Sequence, residues 1–191
     1  MKKSIFTLTL ILALAGTSIA QEVISSSKGT SPMTGGFSNE VHVNFVTLIW
    51  FGSLEVGYER YLSDEHSLEF KALINDRFGF NNENNGKTYK TNSLQASMNF
   101  YFGDNLNGRF FIFPLAKFRF GDFEEPATGG GVQTTDMNAF ILGAGAGYKW
   151  ELSNNFAFGP FASVSRNFSD VVSDKFTAIE LNAGFNLGYR F

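Results

Sequence analysis

The sequence predicts an all-β chain: an eight-stranded antiparallel up-and-down β-barrel that crosses a membrane, preceded by a cleaved signal peptide. Three observations predict it. From residue 40 onward the hydrophobic period is two almost everywhere, and no stretch carries a convincing amphipathic helical period. One face of each such stretch is strongly apolar, while the other is small, polar or charged. The connections alternate between short and long, as in barrels whose turns are short on one side of a membrane and longer on the other.

Composition agrees with this and narrows the function. The 191 residues suffice for one ordinary domain, and they include 23 Phe and 20 Gly. That pairing suits strands with large side chains on one face and small ones on the other. The chain has no Cys, which excludes a disulfide scaffold, a thiolate metal site and a lipid-modified N-terminal Cys. A net charge of −3 gives no footprint for a nucleic-acid partner.

The elements follow in order. Lys2 and Lys3 precede a short apolar run, Ile5 to Ala15, and Ser18-Ile19-Ala20 presents the small residues that a signal peptidase reads. The run is shorter than the roughly 20 residues of a membrane-spanning helix. Residues 1–20 are therefore expected to be removed before Gln21. Gln21 to Asn39 is rich in Ser, Gly and Thr, has no period, and reads as a flexible periplasmic leader. The barrel occupies 40–191. Its strands are expected at Val41–Phe51, Leu54–Leu62, Ser67–Asn75, Thr91–Phe102, Arg109–Phe120, Asn138–Trp150, Phe156–Asn167 and Thr177–Phe191. The second, fourth and sixth connections are short (SDEH, GDNLNG, ELSNN), the third and fifth long, and the seventh intermediate. The first, Gly52-Ser53, departs from this pattern and reads as a two-residue hairpin turn.

Two features place the apolar faces outside. Aromatics crowd the strand ends beside the short turns: Tyr58, Tyr61, Phe100, Tyr101, Phe102, Phe110, Phe111, Tyr148, Trp150, Phe156, Tyr189 and Phe191. This is the pattern of an interfacial girdle. The opposite faces carry Glu55, Glu59, Glu69, Lys71, Lys117, Arg119, Lys149, Glu180 and Arg190, which a narrow interior would pair into a charge network.

The final stretch LNAGFNLGYRF resembles the C-terminal strand of bacterial outer-membrane β-barrels, and LEVGYERYLSDEHSL (54–68) resembles the Gly-Tyr-Glu-Arg hairpin of small outer-membrane barrels common in Bacteroidota. The resemblance covers most of 40–191. It implies an outer-membrane location in a Gram-negative bacterium, with both termini periplasmic. It also implies that Leu187, Tyr189 and Phe191 serve as the recognition signal for the barrel-assembly machinery. The remaining partners it implies are outer-membrane lipids and lipopolysaccharide, around a monomer. It carries little about activity.

Candidate chemistry is sparse, and nothing calls for a cofactor or a metal. His42 and His66, the two histidines, fall at the periplasmic end, the wrong end for a lipid-modifying barrel enzyme, and read as interfacial polar residues. LGAGAGY (142–148) lacks the spacing and context of a nucleotide-binding loop; its alternate glycines leave room that Phe111, Phe113 and Phe161 can fill. Asp122, Glu124, Glu125 and Asp136 make an acidic connection, either solvated or a weak Ca²⁺ site. Arg77, Lys87, Lys90, Arg166 and Lys175 lie near the expected outer rim, as ordinary surface charge or as partners for lipopolysaccharide phosphates. Pro114 and Pro160 interrupt strands at the depth of Gly145, which reads either as a pair of β-bulges or as a lateral seam through Pro114, Gly145 and Pro160. The resulting expectation is a structural or surface-interaction protein of the envelope. The alternatives are transport of a small or hydrophobic ligand, through a narrow pore or a laterally opening wall, and a lipid-modifying enzyme.

Overall fold

The computed structural model describes residues 38–77, 86–103, 108–151 and 155–191. The expected signal peptide and all but the last two residues of the expected leader lie outside these. Nine strands form among the described residues: β1 (Asn39–Asn44), β2 (Leu54–Tyr61), β3 (His66–Ile74), β4 (Thr88–Phe102), β5 (Gly108–Pro126), β6 (Val132–Asp136), β7 (Ala139–Glu151), β8 (Phe156–Asn167) and β9 (Ile179–Arg190). Two helices join them, α1 (Phe45–Phe51) and α2 (Asp170–Lys175).

Eight of the strands close a ring. β1 pairs with β2 and β9, β4 pairs with β5, and every pairing is antiparallel. β6 adds no ninth stave. Asp122↔Asp136 on β5–β6 and Arg119↔Ala139 on β5–β7 keep one register, so β6 continues β7 past a break at Met137-Asn138. The break is mended locally, because the Met137 N–H donates to the Gly121 carbonyl at 2.8 Å. The acidic fifth connection is thus the tip of a long β5–β6 hairpin that stands above the ring.

The faces are inverted relative to a soluble barrel. Along β3, Leu68, Phe70 and Ile74 are exposed while Ser67, Glu69, Lys71 and Leu73 are buried. An apolar exterior around a polar, filled lumen is the arrangement of a membrane-spanning barrel, in which every backbone group must be paired within the wall. Eight strands leave an interior that side chains can fill.

The sequence expectations need four corrections. First, the strand expected over Val41–Phe51 ends at Asn44, and Phe45–Phe51 is helical. Continuing the alternation would turn Val46, Leu48 and Trp50 into the lumen beside Glu55 and Lys71. The Asn44 side chain instead accepts from the Thr47 N–H at 3.5 Å and starts a helix, which ends at Gly52 in the left-handed conformation (φ 61°). Gly52-Ser53 is therefore the end of a longer connection rather than a hairpin turn, and the first connection joins the long class. Second, the seventh connection holds α2, so helices do occur. Third, Tyr61 and Tyr101 belong to the lumen, not to the exterior girdle, and Phe111 lies inward as the alternate glycines imply rather than in the girdle. Fourth, the prolines neither bulge nor bracket one seam. The β4–β5 register is the same on both sides of the rungs missing beside Pro114, and the β7–β8 register is the same on both sides of those missing beside Pro160. The two gaps lie in different seams. Gly145 between them is paired with both Phe113 and Ser163, so the wall is closed along the expected lateral seam.

Candidate functional site

The lumen holds the chemistry. Among the described residues its buried acids are Glu40, Glu55, Glu59, Glu69, Asp76 and Glu180, and they equal in number the buried bases Lys71, Arg109, Lys117, Arg119, Lys149 and Arg190. All nine interior residues expected from the sequence are buried. The sequence reading missed Glu40, His42, Asp76 and Arg109. Glu40 and His42 share the inward phase of Asn44, but Glu40 precedes the strand expected from Val41, and the position of His42 at a strand start reads as interfacial. Asp76 falls in the long third connection, where nothing in the sequence marks it as inward.

Toward the end holding Asn39 and Arg190, Lys149 gathers two carboxylates. Its Nζ lies 2.6 Å from Glu59 Oε2 and 3.0 Å from Glu40 Oε1. Tyr61 donates its hydroxyl to Glu40 at 2.8 Å, and Tyr101 donates to Glu59 at 2.5 Å. Asn99 and Ser67 also donate to Glu59. Arg190 stands opposite Glu40 in the β1–β9 register. Mid-lumen, His42 Nε2 lies 2.9 Å from Glu69, and Lys71 lies 3.2 Å from Glu55 and 3.5 Å from Glu69. The His42 ring occupies the space above Gly57, its direct partner across β1–β2, where a Cβ would collide with it. At the far end, Arg119 binds Asp76 at 3.0 Å and Glu180 at 2.8 Å, and Lys117 lies between the same two acids.

Apolar clusters close the lumen around these charges. Tyr61, Tyr101, Phe111, Phe113, Leu115 and Phe161 fill one flank. Phe113 and Phe111 reach over Gly145 and Gly147, where any side chain would collide with their rings. Above Arg119, Tyr89, Phe123, Met137, Ala139, Ile141 and Val172 of α2 form a second cluster.

Glu40, His42 and Glu59 stand close enough to share a metal ion. The Lys149 ammonium already occupies that position between the two carboxylates, so the cluster is neutralised by a fixed cation. His66 sits in the turn after β2, where its Nδ1 is 3.1 Å from Ser63 Oγ. That oxygen also accepts the N–H groups of Glu65 and His66, so it staples the turn. Two of the five rim cations are engaged by the acidic hairpin: Lys90 with Glu124 at 2.7 Å, and Lys175 with Glu125. Leu187, Tyr189 and Phe191 all face outward at the end of β9.

No family model matches the chain, and no curated protein matches it. Solved structures do. The fold is similar to the N-terminal β-barrel domain of Pseudomonas aeruginosa OprF, with a TM-score of 0.54 and 14% identity over 81% of this chain and 97% of that one. Neisserial surface protein A aligns with a TM-score of 0.46 and 11% identity, over 81% of this chain and 96% of that one. Ail, the attachment invasion locus protein of Yersinia pestis, aligns with a TM-score of 0.45 and 15% identity, over 81% of this chain and 97% of that one. The likeness to the OprF domain shows the shared fold, a closed eight-stranded antiparallel barrel of outer-membrane type.

Proposed function

We propose that the chain is a small outer-membrane barrel of a Gram-negative envelope with a structural or surface-interaction role, rather than a pore or an enzyme. The observation that carries this reading is the filled lumen. Paired charges and two apolar clusters occupy the space a conducting path would need, while the β5–β6 hairpin projects beyond the wall. The Ser63–His66 contact is a turn staple, and no carboxylate among the described residues orients the ring, so it lacks the third member of a nucleophile–base arrangement. Both ends of the barrel chain lie beside the short turn after β2, which supports a periplasmic side there and a cell-surface position for the hairpin. The outward row Leu187, Tyr189 and Phe191 supports a role for β9 in recognition by the barrel-assembly machinery. Its neighbours in the membrane are outer-membrane lipids and lipopolysaccharide, around a monomer.

Cysteine labelling on intact cells tests the placement. With an impermeant maleimide, Gly130→Cys at the hairpin tip is expected to react, and Glu65→Cys in the turn after β2 only after the outer membrane is opened. The opposite pattern, or reaction of neither, overturns the proposed topology.

A further inference from the structure

Apart from the rungs missing beside Pro114 and Pro160, the wall among the described residues is incomplete between β1 and β9. β1 pairs with β9 only as far as Asn44↔Asn186, because the chain then turns into α1. β9 continues beyond this point to Ile179, and among the described residues that half of β9 has no strand on its β1 side. Asn44 Oδ1 accepts the Phe185 N–H at 3.2 Å, and Thr177 Oγ1 accepts the Ile179 N–H at 3.2 Å. Between these points the β9 edge faces α1, which packs on β2 and β9. Phe45 holds α1 there, edge-on to Phe185 with ring centroids 5.8 Å apart.

A small pocket, partly open to solvent, lies at this gap. Its lining draws on residues of both faces of the wall. Successive residues of a strand point to opposite faces, yet the pocket touches Leu181 together with Glu180 and Asn182, and Leu54 together with Glu55. Leu181 is exposed on the lipid side, whereas Glu180 and Glu55 are buried in the lumen. The inner part thus presents carboxylates (Glu55, Asp76, Glu180) beside cations (Arg77, Lys117), and the outer lip is leucine. Beyond the lip, α1 turns Leu48, Ile49 and Trp50 outward, the last two more than two-thirds exposed.

We infer that this passage binds a single-chain amphiphile with a zwitterionic head, such as a lysophospholipid from the surrounding membrane. The acyl chain lies along Leu181, Leu54 and the apolar face of α1, in hydrocarbon. The head enters between β2 and β9, where a phosphate meets the cations and the unpartnered β9 edge, and an ammonium meets the carboxylates. A fatty-acid anion offers nothing to the carboxylates. Open strand edges are tolerated at membrane depth only where they are buried in protein or line a polar cavity, and this passage supplies that cavity. The site lies at the β1–β9 seam, away from Pro114, Gly145 and Pro160, and does not depend on the proposed envelope role.

The test uses the full chain folded in a nonionic maltoside detergent, with folding checked by heat-modifiable gel mobility. Native mass spectrometry with added lysophosphatidylethanolamine is expected to show one retained molecule per barrel. Asn182→Trp, which fills the passage from the lumen side, is expected to weaken retention about tenfold or more, equivalent to about 1.4 kcal/mol. Leu94→Trp, on the lipid face of β4, is expected to leave it unchanged. No retained molecule, equal loss in both variants, or equal retention of a fatty acid overturns the assignment. Should Asn182→Trp not fold, a photoactivatable lysophospholipid on the unaltered protein decides. Cross-links within 45–54 and 179–186 support the site, and cross-links spread around the barrel overturn it.

Discussion

At the scale of single residues, the lumen is a set of charges that hold one another in place, so removing one strands its partners. Glu180 receives Arg119 through Nη1 at 2.8 Å and Nη2 at 2.9 Å, and Lys117 at 3.1 Å. Glu180→Ala takes one carboxylate from two buried cations, Arg119 and Lys117, which also bind Asp76. Breaking such a buried set from one side costs about 3–5 kcal/mol, and urea unfolding in detergent is expected to show a loss of that size. Glu124→Ala removes a partner of Lys90, whose side chain is 58% exposed. An exposed pair contributes about 0–1 kcal/mol, so this variant is expected to unfold near the unaltered protein. Equal losses would mean the lumen charges are solvated rather than paired. A second residue-scale prediction concerns Gly57. The His42 ring fills the position of its missing Cβ, so Gly57→Ala is expected to cost about 1–3 kcal/mol by overpacking. Adding His42→Ala removes the ring that collides, and the double variant is expected to lose less than the sum of the singles. Additive losses would show that the ring does not press on Gly57.

At the scale of elements, the alternation of apolar and polar residues located every barrel strand. Seven of the eight expected strands overlap observed ones along most of their length, because a two-residue period with one apolar face has a single structural reading. The helix α1 was not legible in the same way. VHVNFVTLIWF supports a strand by β-propensity, with β-branched and aromatic residues throughout. What decides against it is the adjoining lumen, where Glu55 and Lys71 exclude Val46 and Leu48 from the inward phase, and Asn44 provides the cap. The acidic connection was read as a loop for a related reason. Its exposed hairpin has polar residues on both faces of β6, and so no period. The interior charges on strands were legible, whereas Asp76, just past β3, was not, because its partners Lys117 and Arg119 come from β5. The Asn44 junction carries a third prediction. Its side chain accepts from Thr47 and Phe185 and donates to Glu55 at 3.1 Å. Asn44→Ala removes a helix cap, for which about 0.5–2 kcal/mol is usual, and also leaves Glu55 with one partner fewer. Hydrogen exchange is expected to rise first in 45–53 and around Phe185, before the rest of the wall opens. Uniform exchange across the barrel would show that α1 and the wall open together and that Asn44 is not the junction.

At the scale of the whole molecule, the described lumen is filled along its axis, and the wall is interrupted between β1 and β9. These properties have a common origin. Eight strands enclose a lumen narrow enough for side chains to fill, and the sequence fills it with aromatic rings on one flank and matched charges on the other. Conduction would require water to replace both at once. The apolar cluster of Tyr89, Phe123, Met137 and Val172 lies across the far end, and the Glu40–Tyr61–Lys149–Glu59 set lies across the near end. The unaltered protein reconstituted in planar bilayers is therefore expected to give no steady single-channel current. Opening the lumen requires more than removing one charge, because a stranded partner relaxes onto its neighbours. Combining Lys149→Ala with Glu59→Ala removes both signs, and Phe113→Ala clears the flank above Gly145. If the lumen is closed by packing and pairing together, Phe113→Ala alone stays silent, and the triple variant admits small currents while retaining heat-modifiable mobility. Large steady currents from the unaltered chain would overturn the closed lumen. Currents from Phe113→Ala alone would show that the aromatic flank is the barrier and that the charges serve stability only.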